Sequence, residues 1–339
     1  MPAMIYKPEG ISTEAHLGTD TIASSTELAA EIAQSPTPFG DYLRMYENKK
    51  TRENYRLSVA TYLTCIYPEM TSRLHPDVEI YVTRYLTELK NGRKFSTDIR
   101  TVGTALSEQF SPTTANLYLR CAWMWLEDCG YCLSRRERQR ILATMPPSRA
   151  ATREMEIRRK IFRDMYFELP EWPATLLIVL LGSGMRIGEA MQLLRTDIDY
   201  SGPRTAIHIR AEITKTKTAR TTYLTTEATN ALLDYLRARR HYADPRIFPY
   251  SPLTAQYHFR NAADRLGYGQ KDPKTKCRKL HWHMTRKWFI TRFALAASKD
   301  IAEHLAGHEG YLSRSYQRYT EKQILKQFKK AEQEISILR

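Results

Sequence analysis

The sequence predicts a mainly α-helical chain with one small antiparallel β-sheet, divided into two domains behind a short tail. Three observations predict this. Apolar residues recur at helical spacings from Pro38 to about Thr144. The Pro146-Pro147-Ser148-Arg149-Ala150 stretch then breaks the pattern. Beyond it, a single period-two stretch, Ala206 to Thr214, is followed by a polar turn and a second short strand.

The elements follow in order. Residues 1–37 are poor in aromatics and rich in Ser, Thr, Ala and Pro, ending in Ser35-Pro36-Thr37-Pro38, and read as a flexible tail. A helix opening at Thr51-Arg52-Glu53-Asn54-Tyr55 carries Tyr55, Val59, Tyr62, Leu63 and Ile66 on one face. Val78 to Leu89 repeats the pattern. A third helix follows Ser111-Pro112, where Ser suits the N-cap and Pro the first turn, and runs to Gly130. Arg135 to Leu142 is a fourth, strongly basic one, and Arg153 to Lys160 reads as a solvated charged stretch. In the second half Pro173–Leu181 reads as a buried helix, punctuated by Gly182-Ser183-Gly184, and Ile187–Leu194 as another. Ala206–Thr214 and Thr221–Thr225 form a hairpin with Lys215–Arg220 as its turn. Thr226–Arg240, a helix capped by Ser251-Pro252, His283–Ala297, Asp300–Ala306 and Tyr316–Lys330 complete a helical domain around the sheet. This organisation sets residues 1–37 as tail, 38–145 as a helical domain, 146–160 as linker and 161–339 as the second domain.

Composition narrows the function. The 339 residues are 42% hydrophobic and 26% charged, enough apolar content for real cores. The longest apolar run, Leu176 to Leu181, is far too short for a membrane span. Met1 to Gly10 has no secretory h-region, and five cysteines fit a reducing compartment better than a disulfide scaffold. These features predict a cytoplasmic protein that does not span a membrane. The net charge is +15. Residues 1–40 hold Lys7 against Glu9, Glu14, Asp20, Glu27 and Glu31, a net of −4, which leaves +19 on the remainder. That excess points to a polyanion, and the charge alone does not separate DNA from RNA, or either from an anionic membrane surface.

Two motifs carry little. Cys129-Gly130-Tyr131-Cys132 lacks the βαβ context of a redox motif and a second ligand pair for zinc. His304 and His308 share a helix spacing, but Leu305 stands where a zincin needs Glu. A larger constellation carries more. Arg186 opens a helix after a glycine-rich turn, where a guanidinium can hold a phosphate. Lys215 lies in the hairpin turn, His283 and Arg286 share one helix face, and His308, Tyr316 and Tyr319 follow. Two guanidiniums, an ammonium, two imidazoles and a phenol are what phosphoryl transfer to a tyrosine needs without a metal or cofactor.

In this order and spacing the residues resemble the tyrosine recombinases, the phage and mobile-element integrase family. Four blocks within residues 173–335 carry the resemblance. Gly184-Met185-Arg186-Ile187-Gly188-Glu189-Ala190 is similar to the block of the first catalytic arginine. Lys215 through Leu224 resembles the hairpin of the catalytic lysine, and the downstream Arg220 and Leu224 favour Lys215 over Lys217. His283-Met284-Thr285-Arg286 matches H-x-x-R, and Leu305-Ala306-Gly307-His308 matches the Leu-Gly-His block with Ala306 inserted. Tyr316 stands eight residues after His308 and Tyr319 eleven. Tyr316-Gln317-Arg318-Tyr319-Thr320-Glu321 resembles the tail of integrases from archaeal and related mobile elements. That register favours Tyr316 as nucleophile, whereas Tyr319-Thr320 resembles bacterial relatives and keeps Tyr319 as the alternative.

The resemblance implies a SAM-like core-binding domain and a catalytic domain closing as a C-shaped clamp on double-stranded DNA attachment sites. It implies a homotetramer on synapsed DNA, monomeric or dimeric when free, in a prokaryotic nucleoid. It implies cleavage through a 3′-phosphotyrosyl link and a Holliday junction, for integration or excision of a mobile element. Arg186 and Arg286 would neutralise phosphate oxygens, Lys215 would protonate the leaving 5′-oxygen, His283 would assist in proton transfer from the tyrosine, and His308 would bond a phosphate oxygen. Arg135–Arg140 and Lys271–Lys279 are candidate backbone contacts. The terminal amphipathic segment Glu321–Leu338 could dock on a neighbouring protomer or pack on its own domain. Rival readings are a non-catalytic DNA-binding protein of the same fold, a type IB topoisomerase and an RNA-binding helical protein.

Overall fold

The computed structural model describes residues 38–71, 73, 77–145, 153–273, 275, 277–307 and 319–338. His308 and Tyr316, and the tail at 1–37, lie outside the described residues. The chain divides into two compact units, Met1–Ala150 and Ala151–Arg339.

Among its described residues the first unit is all helical. It comprises α1 (Pro38–Arg44), α2 (Lys49–Ile66), α3 (Asp77–Lys90), α4 (Phe95–Gln109), α5 (Pro112–Asp128) and α6 (Arg135–Thr144). Local chemistry sets the starts. Asn48 caps α2 by accepting from the amides of Lys50 at 2.9 Å and Thr51 at 3.2 Å. Ser111 caps α5 with Pro112 at the first position, and Ser134 and Glu137 form a reciprocal capping box on α6. The core gathers Val59, Tyr62, Leu63, Tyr85, Leu106 and Trp125. The buried Tyr62 and Tyr85 hydroxyls meet at 2.8 Å, and Tyr85 also donates to Asp98 at 2.9 Å.

Helix α4 is absent from the sequence expectation. Its polar positions are mostly Ser and Thr, poor helix formers whose hydroxyls compete for backbone carbonyls. Here they fold back within the helix, as Ser107 Oγ does to the Gly103 carbonyl at 2.8 Å. Its apolar face, Ile99, Val102 and Leu106, is buried. Gly103 lets it approach α5: a Cβ there would stand 3.2 Å from Leu119 Cδ2.

The second unit is built on α8 (Glu171–Ser183), buried from Pro173 to its end. Packed on or beside it are α7 (Arg159–Glu168), α9 (Ile187–Ala190), α10 (Thr226–Ala238), α11 (Pro252–Arg265), α12 (His283–Ala296) and α14 (Glu321–Ile335), while α13 (Lys299–Ala306) packs on α12. The sheet has three antiparallel strands in the order β1 (Ile198–Asp199), β2 (Ala206–Ile209), β3 (Arg220–Tyr223).

Several expectations need correction. The alternation from Ala206 stops being a strand at Ile209, because the ladder ends where Ile209 pairs with Arg220. Ala211–Ile213 instead forms a 3₁₀ turn. The expected helix Ile187–Leu194 ends at Ala190, since the Leu193 carbonyl accepts from the Ile247 amide and Leu194 turns extended to pair with Arg246. The stretch Arg153–Lys160 is not wholly solvated. Met155 and Ile157 pack against the second unit's core, Glu154 bonds Lys287 Nζ at 2.6 Å, and α7 begins at Arg159. Helix α14 packs on its own domain, burying Phe328, Ala331 and Ile335 in a cluster with Phe289 and Phe293 of α12. Its buried Glu332 accepts from the Thr226 amide at 2.7 Å and pairs with Arg204.

Candidate active site

The site is assembled at three chain turns. Helix α8 ends at Gly184 in the left-handed conformation, φ 67°. A Cβ at Gly184 would lie 2.2 Å from Phe289 Cδ1 of α12, so only glycine lets the two chain segments approach. Two residues on, Arg186 caps α9 from an extended backbone, φ −77° and ψ 145°. Helix α13 ends at Gly307, again left-handed, φ 71°. These turns bring the ends of α8 and α13 to the start of α9.

Arg286 sits on α12 and is 1% exposed. Its Nη1 donates to the Gly184 carbonyl at 2.8 Å. Among the described residues its Nε and Nη2 are buried with no hydrogen-bond partner. A buried cation that leaves two of three nitrogens unsatisfied carries a large desolvation cost. Burial, and then the nearby Arg186 charge, push its pKa down to about 9, against the opposing pull of Glu189.

Glu189 anchors the other two arginines. It is 2% exposed. Its carboxylate accepts from the Arg186 backbone amide at 2.8 Å and from Arg186 Nη1 at 2.9 Å. It also accepts from Arg220 Nη1 at 3.1 Å and Nη2 at 2.6 Å. Burial works to raise its pKa, but the bonds and charge of Arg220, then the backbone and side-chain bonds of Arg186, outweigh it and hold the carboxyl below its ordinary value. Arg186 Nη2 reaches on to the Gly307 carbonyl at 3.3 Å, and Arg220 Nε to the Leu305 carbonyl at 3.1 Å. Three guanidiniums around one carboxylate leave a net positive charge on these four groups, suited to an anion.

The remaining predicted residues are placed as follows. His283 is the first residue of α12, one turn before Arg286, and its side chain is exposed. Partial desolvation, then the charges of Arg286, Lys287 and His281, lower its pKa, so the imidazole is neutral at pH 7. Lys215 is exposed in the turn before β3. Lys217 in the same turn has φ 54° and bonds the Glu212 carbonyl at 3.4 Å. Tyr319 is half-buried, edge-on to His304 with ring centroids 6.2 Å apart, and packs with the cluster containing Ile324. It precedes Thr320, which with Gln323 forms the capping box of α14. Burial, then Asp300, raises its hydroxyl pKa. Among the described residues no three His, Cys, Asp or Glu converge as a metal site, and no helix is long and apolar enough to cross a membrane.

The structure thus brings Arg186 and Arg286 together. It adds Glu189 and Arg220, whose roles the sequence reading had not assigned. Both stood inside the recognised blocks, Glu189 three residues after Arg186 and Arg220 five after Lys215.

Residues 152–326 match the model of the phage integrase family, more than half of the chain. The chain belongs to the phage integrase family, the tyrosine recombinases. Similar solved structures share the fold at low identity. A lambda integrase dimer bound to a COC′ core site is 13% identical, with a TM-score of 0.57, covering 84% of this chain and 98% of that one. XerH recombinase bound to its difH substrate, in a pre-cleavage complex, is 14% identical, with a TM-score of 0.51 over 89% and 86%. The Tn1549 transposon integrase in complex with transposon right-end DNA is 13% identical, with a TM-score of 0.53 over 80% and 98%. No curated protein matches. The mainly helical integrase with its three-stranded antiparallel sheet is the fold class expected from the sequence.

Proposed function

We propose that this integrase-family chain is a site-specific DNA recombinase that cuts and rejoins DNA through a 3′-phosphotyrosyl intermediate. The observation that carries the reading is the buried Arg286 beside Arg186, with Nε and Nη2 unsatisfied among the described residues. Such donors are costly in the free protein and match the non-bridging oxygens of a phosphodiester.

In this mechanism Tyr316 Oη attacks the scissile phosphorus in line. The phosphorus–O5′ bond breaks as the tyrosyl–phosphorus bond forms. The phenolic proton passes to the neutral His283, and Lys215 gives a proton to the leaving 5′-oxygen. Arg186, Arg286 and His308 stabilise charge on the phosphate oxygens. A partner strand's 5′-hydroxyl reverses the step, and two rounds exchange strands through a Holliday junction. The exposed ammonium of Lys215 and the lowered pKa of His283 support these proton roles. The packing of Tyr319 on His304, under a raised hydroxyl pKa, supports Tyr316 as nucleophile.

The partners in this reading are double-stranded attachment sites and three further copies of the chain. Integration or excision of a mobile element is the biological setting it implies. The domain limits go with it: 38–145 binds DNA and 161–339 carries the chemistry, with the end of the expected 146–160 link, from Glu154 on, belonging to the second unit.

The test is covalent trapping. The protein is used to enrich its preferred sequence from a randomised duplex pool, and that sequence is rebuilt as a nicked suicide substrate. Wild type and Tyr319→Phe should give a protein–DNA adduct and Tyr316→Phe none. Loss with Tyr319→Phe alone makes Tyr319 the nucleophile. No adduct with the wild type sinks the enzyme reading in favour of a DNA-binding protein. Relaxation of one supercoiled circle without exchange between duplexes favours a type IB topoisomerase.

A further inference from the structure

We propose that Arg220 is a positioning residue that locks the first arginine and the end of α13 into cleavage geometry. The proposal rests on the reading of this site as a DNA-cleaving centre.

The three arginines of the cluster differ in what their donors have left to do. Arg286 has two unsatisfied nitrogens. Arg186 is a quarter exposed at its side chain, which leaves part of its guanidinium accessible. Arg220 is only 8% exposed at its side chain, and all three of its nitrogens are engaged. Nε donates to Leu305 and Nη1 and Nη2 to Glu189. With three of its five N–H donors engaged and its side chain almost wholly buried, this guanidinium has far less to offer a phosphate than Arg286 or Arg186.

Its partners explain what it holds. Glu189 is the carboxylate that fixes Arg186, by backbone amide and by side chain. Leu305 is in the last turn of α13, whose cap Gly307 also accepts from Arg186. Arg220 itself lies on β3, the strand entered from the Lys215 turn. One planar fork therefore ties the start of α9, the lysine-bearing hairpin and the end of the helix that leads to His308. Gly307 fits this contact, because a Cβ there would stand 2.8 Å from Arg220 Cζ. Lysine has the charge but cannot span two carboxylate oxygens and a carbonyl at once.

The experiment measures adduct formation on the nicked duplex by wild type and Arg220→Lys over a range of DNA concentrations. The expected result is a maximal rate about 10- to 100-fold lower, the usual cost of misplacing catalytic groups through their supports. The half-saturating DNA concentration should move less than about threefold, because Arg220 makes no substrate contact. A maximal rate within about threefold of wild type overturns the proposal, as does a loss confined to DNA binding. Should Arg220→Lys melt too low to assay, Gly307→Ala displaces the same guanidinium from the other side and should give the same split; wild-type kinetics there overturns the proposal. If the wild type itself forms no adduct, the recombinase reading falls. The anchor is then judged by amide hydrogen exchange, where Arg220→Lys should speed exchange over Ala302–Gly307 about tenfold. Unchanged exchange in that turn overturns it.

Discussion

Arg286 Nη1 donates to the carbonyl oxygen of Gly184 at 2.8 Å, across 102 residues of sequence. That single bond joins the helix of the second arginine to the turn that precedes the first. It depends on a glycine: Gly184 has φ 67° and Phe289 occupies the space where a side chain would begin.

Gly184→Ala should therefore fail on stability as well as activity. Strain at positive φ adds to overpacking against Phe289, together about 2–4 kcal/mol. Urea unfolding should show the loss as a lower midpoint, and adduct formation should fall with it. An alanine variant that unfolds like the wild type would mean that Phe289 moves aside.

Arg286→Met should separate stability from activity. The side chain keeps bulk in the core and removes a buried cation with two unsatisfied nitrogens. The variant should be neutral to about 3 kcal/mol more stable in denaturant unfolding, and should form no adduct. The guanidinium's lowered pKa gives the sign. Between about 9 and its ordinary value the unfolded chain binds more protons, so stability rises with pH there and the cost is fully present at pH 7. A variant much less stable than wild type would show that the bond to Gly184 outweighs the burial cost.

Glu189→Gln should destabilise by about 3–5 kcal/mol, since it leaves Arg220 and Arg186 without their shared counter-charge. The carboxyl pKa is lowered on folding, so its contribution is present above the ordinary carboxylate range and lost as the pH falls through the folded pKa. The difference in unfolding midpoint between wild type and variant should accordingly be large at pH 7 and shrink in acid. An equal difference at every pH would rule out the charge as its source.

The rate of adduct formation should fall on the acid side only below the ordinary histidine pKa of about 6.5. His283 must be neutral to accept the tyrosine proton, and its pKa is lowered by desolvation and by Arg286, Lys287 and His281. Stability follows the same sign, decreasing as the pH falls through that window, because the unfolded chain binds the proton first. His283→Gln should flatten this acid limb in single-turnover assays. An acid limb that survives the substitution belongs to another group.

The sequence by itself determined the helical class, the helix starts at Ser111-Pro112 and Ser251-Pro252, and the order of Arg186, Lys215, His283 and Arg286. Those features are local: a cap needs only the amides two or three residues ahead, and an amphipathic face needs only its own spacing. Tertiary structure decided where β2 ends, because a ladder lasts only as long as its partner strand. It decided that α4 is a helix, because burial of Ile99, Val102 and Leu106 overrides weak propensity in its Ser and Thr. It also divided the arginines. Arg186, Arg220 and Arg286 are chemically the same side chain. Only contacts from residues far away in the chain, Glu189, Leu305 and Gly184, leave donors open on one and engage every nitrogen of another.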